Sequence, residues 1–153
     1  MLHKIQAKQL LKADRDTVWE FMSDPGNLAR ITPQYMGFNV LTDLNGRSMY
    51  QGQIIEYTVR PLLGIPLHWV TEITHVKPKE YFVDEQRFGP YTFWHHQHWI
   101  LPHANGVEMF DEVHYRLPLG PLGRIANSMF IKKQLEGIFN HRFQVLETIF
   151  NKK

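Results

Sequence analysis

From His3 to Leu11, HKIQAKQLL, apolar and polar residues alternate with the two-residue period of a strand, so one face of the segment is predicted to be buried. The period then changes. In ADRDTVWEFMSDPGNLARITP, Asp14 is placed to cap a helix, and Val18, Phe21 and Met22 fall on one helical face. Pro25 and Gly26 end that helix, and a short second one is expected over 27–31. Alternation returns over 37–43, 49–60, 67–77, 80–88, 91–102 and 106–117. Asn45-Gly46, Pro78-Lys79, Gly89-Pro90 and Asn105-Gly106 punctuate these segments as turn signals. Strands joined by such short turns form an antiparallel meander.

From about Pro121 to Phe150 the pattern is helical. Ile125, Met129, Leu135, Ile138, Phe139, Arg142, Leu146 and Ile149 recur at three- and four-residue steps, and Pro121 suits a first turn. A helix over 121–150 would measure about 45 Å, so it must lie across most of the sheet. Gly137, at a cost of roughly 1 kcal/mol against alanine, marks either a bend or a ring packed close to the backbone. The expected fold is α+β: a curved seven-stranded antiparallel sheet wrapped around a long C-terminal helix, with two short helices after the first strand. A cavity lies between sheet and helix unless large side chains close it. Neither a repeat nor a linker interrupts the pattern, and residues 1–153 read as one domain.

Composition narrows the function classes. The chain is 43% hydrophobic and 21% charged, the balance of a globular protein, and its 13% aromatic share suits a dense core or a ring-lined pocket. Its 17 basic and 15 acidic residues are not clustered, so nucleic acid is not an expected partner. Cysteine is absent, which excludes disulfides, thiolate metal sites and cysteine nucleophiles. The N-terminal residues lack the pattern of a signal peptide, and no apolar run approaches the roughly 18 residues of a membrane span. A cytoplasmic protein without stable membrane insertion is expected. Neither G-x-S-x-G nor G-x-G-x-x-G occurs, so hydrolase and dinucleotide-binding readings fall away.

The densest candidate chemistry is GPYTFWHHQHWI, Gly89 to Ile100, in which three histidines and two tryptophans occupy Trp94 to Trp99. Trp94, His96, His98 and Ile100 share one strand face; Phe93, His95, Gln97 and Trp99 share the other. Both faces mix rings and polar groups, so periodicity alone does not choose. In the last strand Met109, Val113, Tyr115 and Leu117 form an apolar face with Asp111 among them. A carboxylate there is costly unless partnered.

Across the whole chain a joint pattern appears: Tyr57; Gly64-Ile65-Pro66 with Trp69; Phe82-Asp84-Gln86; Gly89-Pro90 with Trp94-His96-His98; Met109-Asp111-Val113-Tyr115; then Pro118 and Gly120. It resembles the SRPBCC superfamily, the START-like or helix-grip fold of pollen allergens, lipid-transfer domains and polyketide cyclases. It is most similar to a branch of small bacterial ligand-binding members, from which Ile100 departs conservatively, a Phe being frequent there. The resemblance implies the helix-grip fold and a hydrophobic cavity. It implies no particular reaction, because such proteins include enzymes and carriers. It also implies that His96 and His98 face inward and His95 outward, and Asp111 supplies an inward imidazole with a partner.

Three readings of this group then compete. His96, His98, Asp111 and Tyr115 are a satisfied network that fixes sheet packing, or the polar end of a cavity that orients an apolar ligand, or a metal site in which Asp111 adds an oxygen to a His-x-His pair. The metal reading lacks the downstream Glu of a cupin, since Pro102 and His103 stand there, and no metal or cofactor is expected. Tyr57, Trp69, Ile73, Phe82 and Trp94 are candidate cavity walls, with Asp84 and Gln86 as further polar lining in the phase of Phe82. Two loops, RPLLGIPLHW at 60–69 and LPLGPLGRI at 117–125, hold leucines that either pack under the domain or form an apolar rim, with Arg124, Lys132 and Lys133 nearby. The functional expectation is non-covalent binding or transport of a small hydrophobic molecule, such as a lipid, an isoprenoid or an aromatic polyketide-like compound. The rival is a cyclase or dehydratase using His96, His98 and Asp111 as acid–base groups.

Overall fold

The structure is a computed structural model that describes all residues except 45, 47, 62–63, 119, 127–129 and 153, with the side chains of 123, 124 and 126 also left aside. Strand β1, His3–Leu11, leads into helix α1, Arg15–Met22. Asp14 caps α1 as expected, accepting from the Thr17 backbone N–H at 2.8 Å and its hydroxyl at 2.7 Å. Pro25–Ala29 is a 3-10 turn, capped by Asp24, and Gln34–Met36 is a second one that periodicity did not reveal. The remaining strands are β2 Asn39–Val40, β3 Ile54–Val59, β4 Leu67–Lys77, β5 Tyr81–Phe88, β6 Phe93–His103 and β7 Gly106–Arg116. Helices α2, Gly120–Ala126, and α3, Lys132–Phe150, complete the chain. Whether α2 and α3 form the single helix expected over 121–150 rests on 127–129, outside the described residues.

All seven strands form one open antiparallel sheet in the order β1-β7-β6-β5-β4-β3-β2. Two expectations are corrected. The strand expected over 37–43 is only two residues long, and the one expected over 49–60 begins at Ile54. Before it Gln53 N–H bonds the Tyr50 carbonyl, and Gly52 adopts a φ of 87°, a turn that alternating hydrophobicity disguises. The register of β4 against β5 shifts at Val70/Thr71 and at Ile73/His75.

Inward positions of β7, β6 and β1 bury Leu11, Ile100, Val107 and Met109, against which Val18 of α1 and Leu146 of α3 pack. Polar side chains fasten α3 to the edge strand: Gln9 donates to the Phe143 carbonyl at 3.0 Å, and Asn151 donates to the Leu10 carbonyl at 2.9 Å. Near its start, Gln134 bonds the Pro61 carbonyl in the β3–β4 loop. Gly137 is a close approach, with the Tyr35 hydroxyl 3.7 Å from where a Cβ would stand. Among the described residues no helix is long and apolar enough to cross a membrane.

Candidate functional site

Strand register assembles the polar group. Across β5–β6, Asp84 pairs with His96 and Phe82 with His98; across β6–β7, His98 pairs with Asp111 and Trp94 with Tyr115. Directly opposite residues share a sheet face, so pairing alone sets two carboxylates against two imidazoles. The inward choice for His96 and His98 is the one observed, with 7% and 5% of their surfaces exposed. His95 lies on the other face, bonded to Glu85 at 2.7 Å.

Asp111 is the hub of the cluster. Its Oδ1 lies 3.0 Å from His96 Nε2, 2.8 Å from His98 Nδ1 and 3.2 Å from Arg142 Nη2. Asp84 faces the same rings from the other side, with Oδ2 2.7 Å from His98 Nε2 and 3.5 Å from His96 Nδ1. His98 Nε2 bonds Asp84 Oδ2, while its Nδ1 stands between Asp111 Oδ1 and Arg142 Nη2, the latter 3.1 Å away. The His98 ring stacks on Phe82 at 4.1 Å and lies 3.7 Å from that of His96.

Burial, reinforced by the charge on His98, lowers the His96 pKa to about 4 against the pull of Asp84 and Asp111. Burial alone would raise Asp111, but the Arg142 guanidinium and hydrogen bonds from His96 and His98 outweigh it and hold the carboxyl well below its usual range. Asp84 is also lowered: burial opposes the shift, while the charge on His96 and the hydrogen bond from His98 prevail.

In front of this cluster, between the sheet and α3, lies a predominantly apolar cavity of about 190 Å³. Tyr57, Trp69, Ile73, Phe82 and Trp94 line it, with Asp84, His96 and His98 at its polar end. Tyr57 and Trp69 stack at 5.9 Å and share one polar anchor, the Thr71 hydroxyl, at 3.0 and 3.1 Å. Asp111 and Tyr115 do not reach this wall. Asp111 sits behind the imidazoles, and Tyr115 packs against Trp94 and Tyr91 at ring distances of 6.4 and 5.8 Å. Gln86 is diverted as well: its side chain clamps the turn at Gly89-Pro90 through the Tyr91 carbonyl at 2.6 Å and the Tyr91 N–H at 3.1 Å.

Sequence reasoning missed Arg142, Thr71 and Tyr91 as lining groups. Arg142 carried a signal: it is a cation at a helical position whose neighbours in the stripe, Leu135 and Leu146, are buried. At the loops, Ile65 and Leu122 are exposed, whereas Leu62, Leu63, Leu119 and the Arg124 side chain lie outside the described residues. Lys132 and Lys133 are exposed, and Lys132 approaches Glu136 at 3.9 Å.

No protein-family model matches the chain, and no curated protein matches it in sequence. Its likeness to solved structures covers almost the full length. Protein CV1439 from Chromobacterium violaceum is similar at a TM-score of 0.73 and 14% identity, with 99% of each chain covered. The Zhui aromatase/cyclase from Streptomyces sp. R1128 is similar at a TM-score of 0.70 and 12% identity, over 99% of this chain and 98% of that one. A START superfamily protein from Mycobacterium smegmatis follows at 0.68 and 15%, over 99% and 97%. The fold is therefore the START-like helix-grip fold of SRPBCC proteins, as the residue pattern implied. Identities this low speak for the fold alone.

Proposed function

We propose that the chain binds a small hydrophobic molecule non-covalently in the cavity between the sheet and α3. The observation that carries this reading is the cavity itself: about 190 Å³, walled by aromatic side chains, with a polar cluster at one end. Apolar walls supply affinity and a few convergent polar groups supply orientation. A dry protein cavity of about 150 Å³ accepts benzene. The volume here suits a compact ring compound or a short acyl chain better than a two-tailed lipid. Asp84 is an acceptor for a ligand hydroxyl, and Arg142 is a donor for a carbonyl or carboxylate.

Native mass spectrometry of protein purified without added ligand tests the reading. A bound organic mass that leaves on denaturation supports it. A bare chain that also fails to take up any member of a panel of ring compounds and short acyl chains overturns it.

A second reading has one specific observation in its favour. His96 stands on the cavity wall with its far nitrogen held by Asp111 at 3.0 Å, the orientation of a histidine base in a cyclase or dehydratase, although a pKa lowered to about 4 makes it a weak base at neutral pH. His96→Ala separates the two. Turnover lost with ligand affinity kept within a few-fold favours the enzyme; affinity lost without any measurable turnover in the parent favours the carrier.

A further inference from the structure

We propose that Asp84, His96 and His98 form a binding site for one divalent transition-metal ion, its open side facing the cavity. Each of the three offers a ligand atom, and these atoms lie within 4.8 Å of one another. Asp84 Oδ2 stands 2.7 Å from His98 Nε2 and 3.5 Å from His96 Nδ1. Metal–nitrogen and metal–oxygen bonds of about 2.0–2.2 Å put neighbouring ligand atoms about 3 Å apart. A small opening of the shorter contact admits an ion.

The far side of the rings is the second observation. His96 Nε2 and His98 Nδ1 both point to Asp111 Oδ1, at 3.0 and 2.8 Å. A carboxylate that accepts the remote N–H of a ligating histidine is the usual outer shell of a metal site; it fixes the tautomer and makes the imidazole a better donor. Here Asp111 Oδ1 bonds His96 Nε2, and Arg142 Nη2 stands 3.2 Å from that oxygen and 3.1 Å from His98 Nδ1. With its Nε2 hydrogen on Asp111, His96 turns the Nδ1 lone pair toward Asp84.

The sequence-level metal reading placed Asp111 among the ligands. Register reverses the roles, with Asp84 in the ligand position and Asp111 behind. Two imidazoles and one carboxylate, without thiolate, suit Zn²⁺, Fe²⁺, Co²⁺ or Ni²⁺ rather than Ca²⁺ or Mg²⁺. Three protein ligands leave coordination positions vacant. With both carboxylates ionised, a dication and Arg142 leave one net positive charge at the polar end, which an anionic oxygen on a cavity ligand would balance. The site does not depend on the hydrophobic-ligand reading, because metal binding is measurable with no organic molecule present.

The test uses the full chain without an affinity tag, stripped with a chelator, dialysed and titrated separately with Co²⁺ and Zn²⁺ by calorimetry and, for Co²⁺, by visible absorption. The expected result is saturation at one ion per chain. Asp84→Asn should weaken binding at least tenfold, Asp111→Asn about 10- to 100-fold, and His95→Gln, on the outer face, not at all. Circular dichroism confirms that the variants keep their fold. A second measurement needs no variant: Co²⁺ should shift the ring resonances of His96 and His98 in the NMR spectrum. Absence of saturable binding, equal affinity in Asp84→Asn, or shifts confined to other histidines would each overturn the proposal.

Discussion

Arg142 shows how much one side chain decides. It is the only guanidinium placed at the buried cluster among the described residues, and it offsets the desolvation of Asp111. Arg142→Ala leaves a buried carboxylate short of a cation. Removing one partner of such a pair is expected to lower stability by about 3–5 kcal/mol, read from urea denaturation followed by tryptophan fluorescence. His96 makes a second residue-level prediction, for the metal-free protein. Its pKa is about 4 folded against 6.5 in the absence of the fold, so the unfolded chain takes up a proton that the native state refuses. Stability therefore falls as the pH drops from about 6.5 to about 4, by on the order of 3 kcal/mol. The lowered Asp84 and Asp111 act in the same sense further down: their contribution is present above the ordinary carboxylate value of 3.8 and is lost as the pH falls through their folded values. Urea midpoints at about pH 7 and about pH 4.5 check the first window. The drop should shrink in His96→Gln.

Among the elements, legibility in the sequence followed the strength of the local signal. Strands β1, β4, β5, β6 and β7 and helix α1 lie within a residue or two of their expected bounds, because one buried face imposes a clean period. β2 and the start of β3 did not, since edge pairing and a turn at Gly52 compete with the alternation there. Helix α3 showed its buried stripe, yet Arg142 within it reads as an anomaly until the sheet supplies Asp111. The β6–β7 hairpin carries the element-scale prediction. Gly106 has a φ of 136°, and a Cβ there would stand 2.1 Å from the Leu11 carbonyl oxygen of β1. Gly106→Ala is expected to cost more than 1 kcal/mol, with the loss visible as a lowered Tm. The same substitution at Gly52, with no neighbouring atom within 4 Å of a built Cβ, brings backbone strain without that clash and should cost less.

At the scale of the whole molecule, an open sheet, α3 and the two 3-10 turns enclose more space than their side chains fill. A cavity of this kind lowers stability when empty and raises it when occupied, since a ligand at a hundred times its Kd adds about 2.7 kcal/mol. Ile138 of α3 lines the cavity. Ile138→Trp is expected to leave Tm unchanged or raised in the empty protein and to abolish the Tm shift that a bound ring compound produces in the parent. A Tm shift that survives the substitution would place the ligand elsewhere. By itself the sequence determined the strand count, the antiparallel order and the N-cap at Asp14, because these follow from local period and turn chemistry; the inward phase of His96 and His98 came from the resemblance, with Asp111 as the supporting partner. Only the tertiary structure decided which carboxylate faces the cavity, that Arg142 completes the cluster, and that Tyr115 lies behind the wall. Those outcomes depend on register between strands and on the packing of a helix encoded far along the chain, and no local pattern carries either.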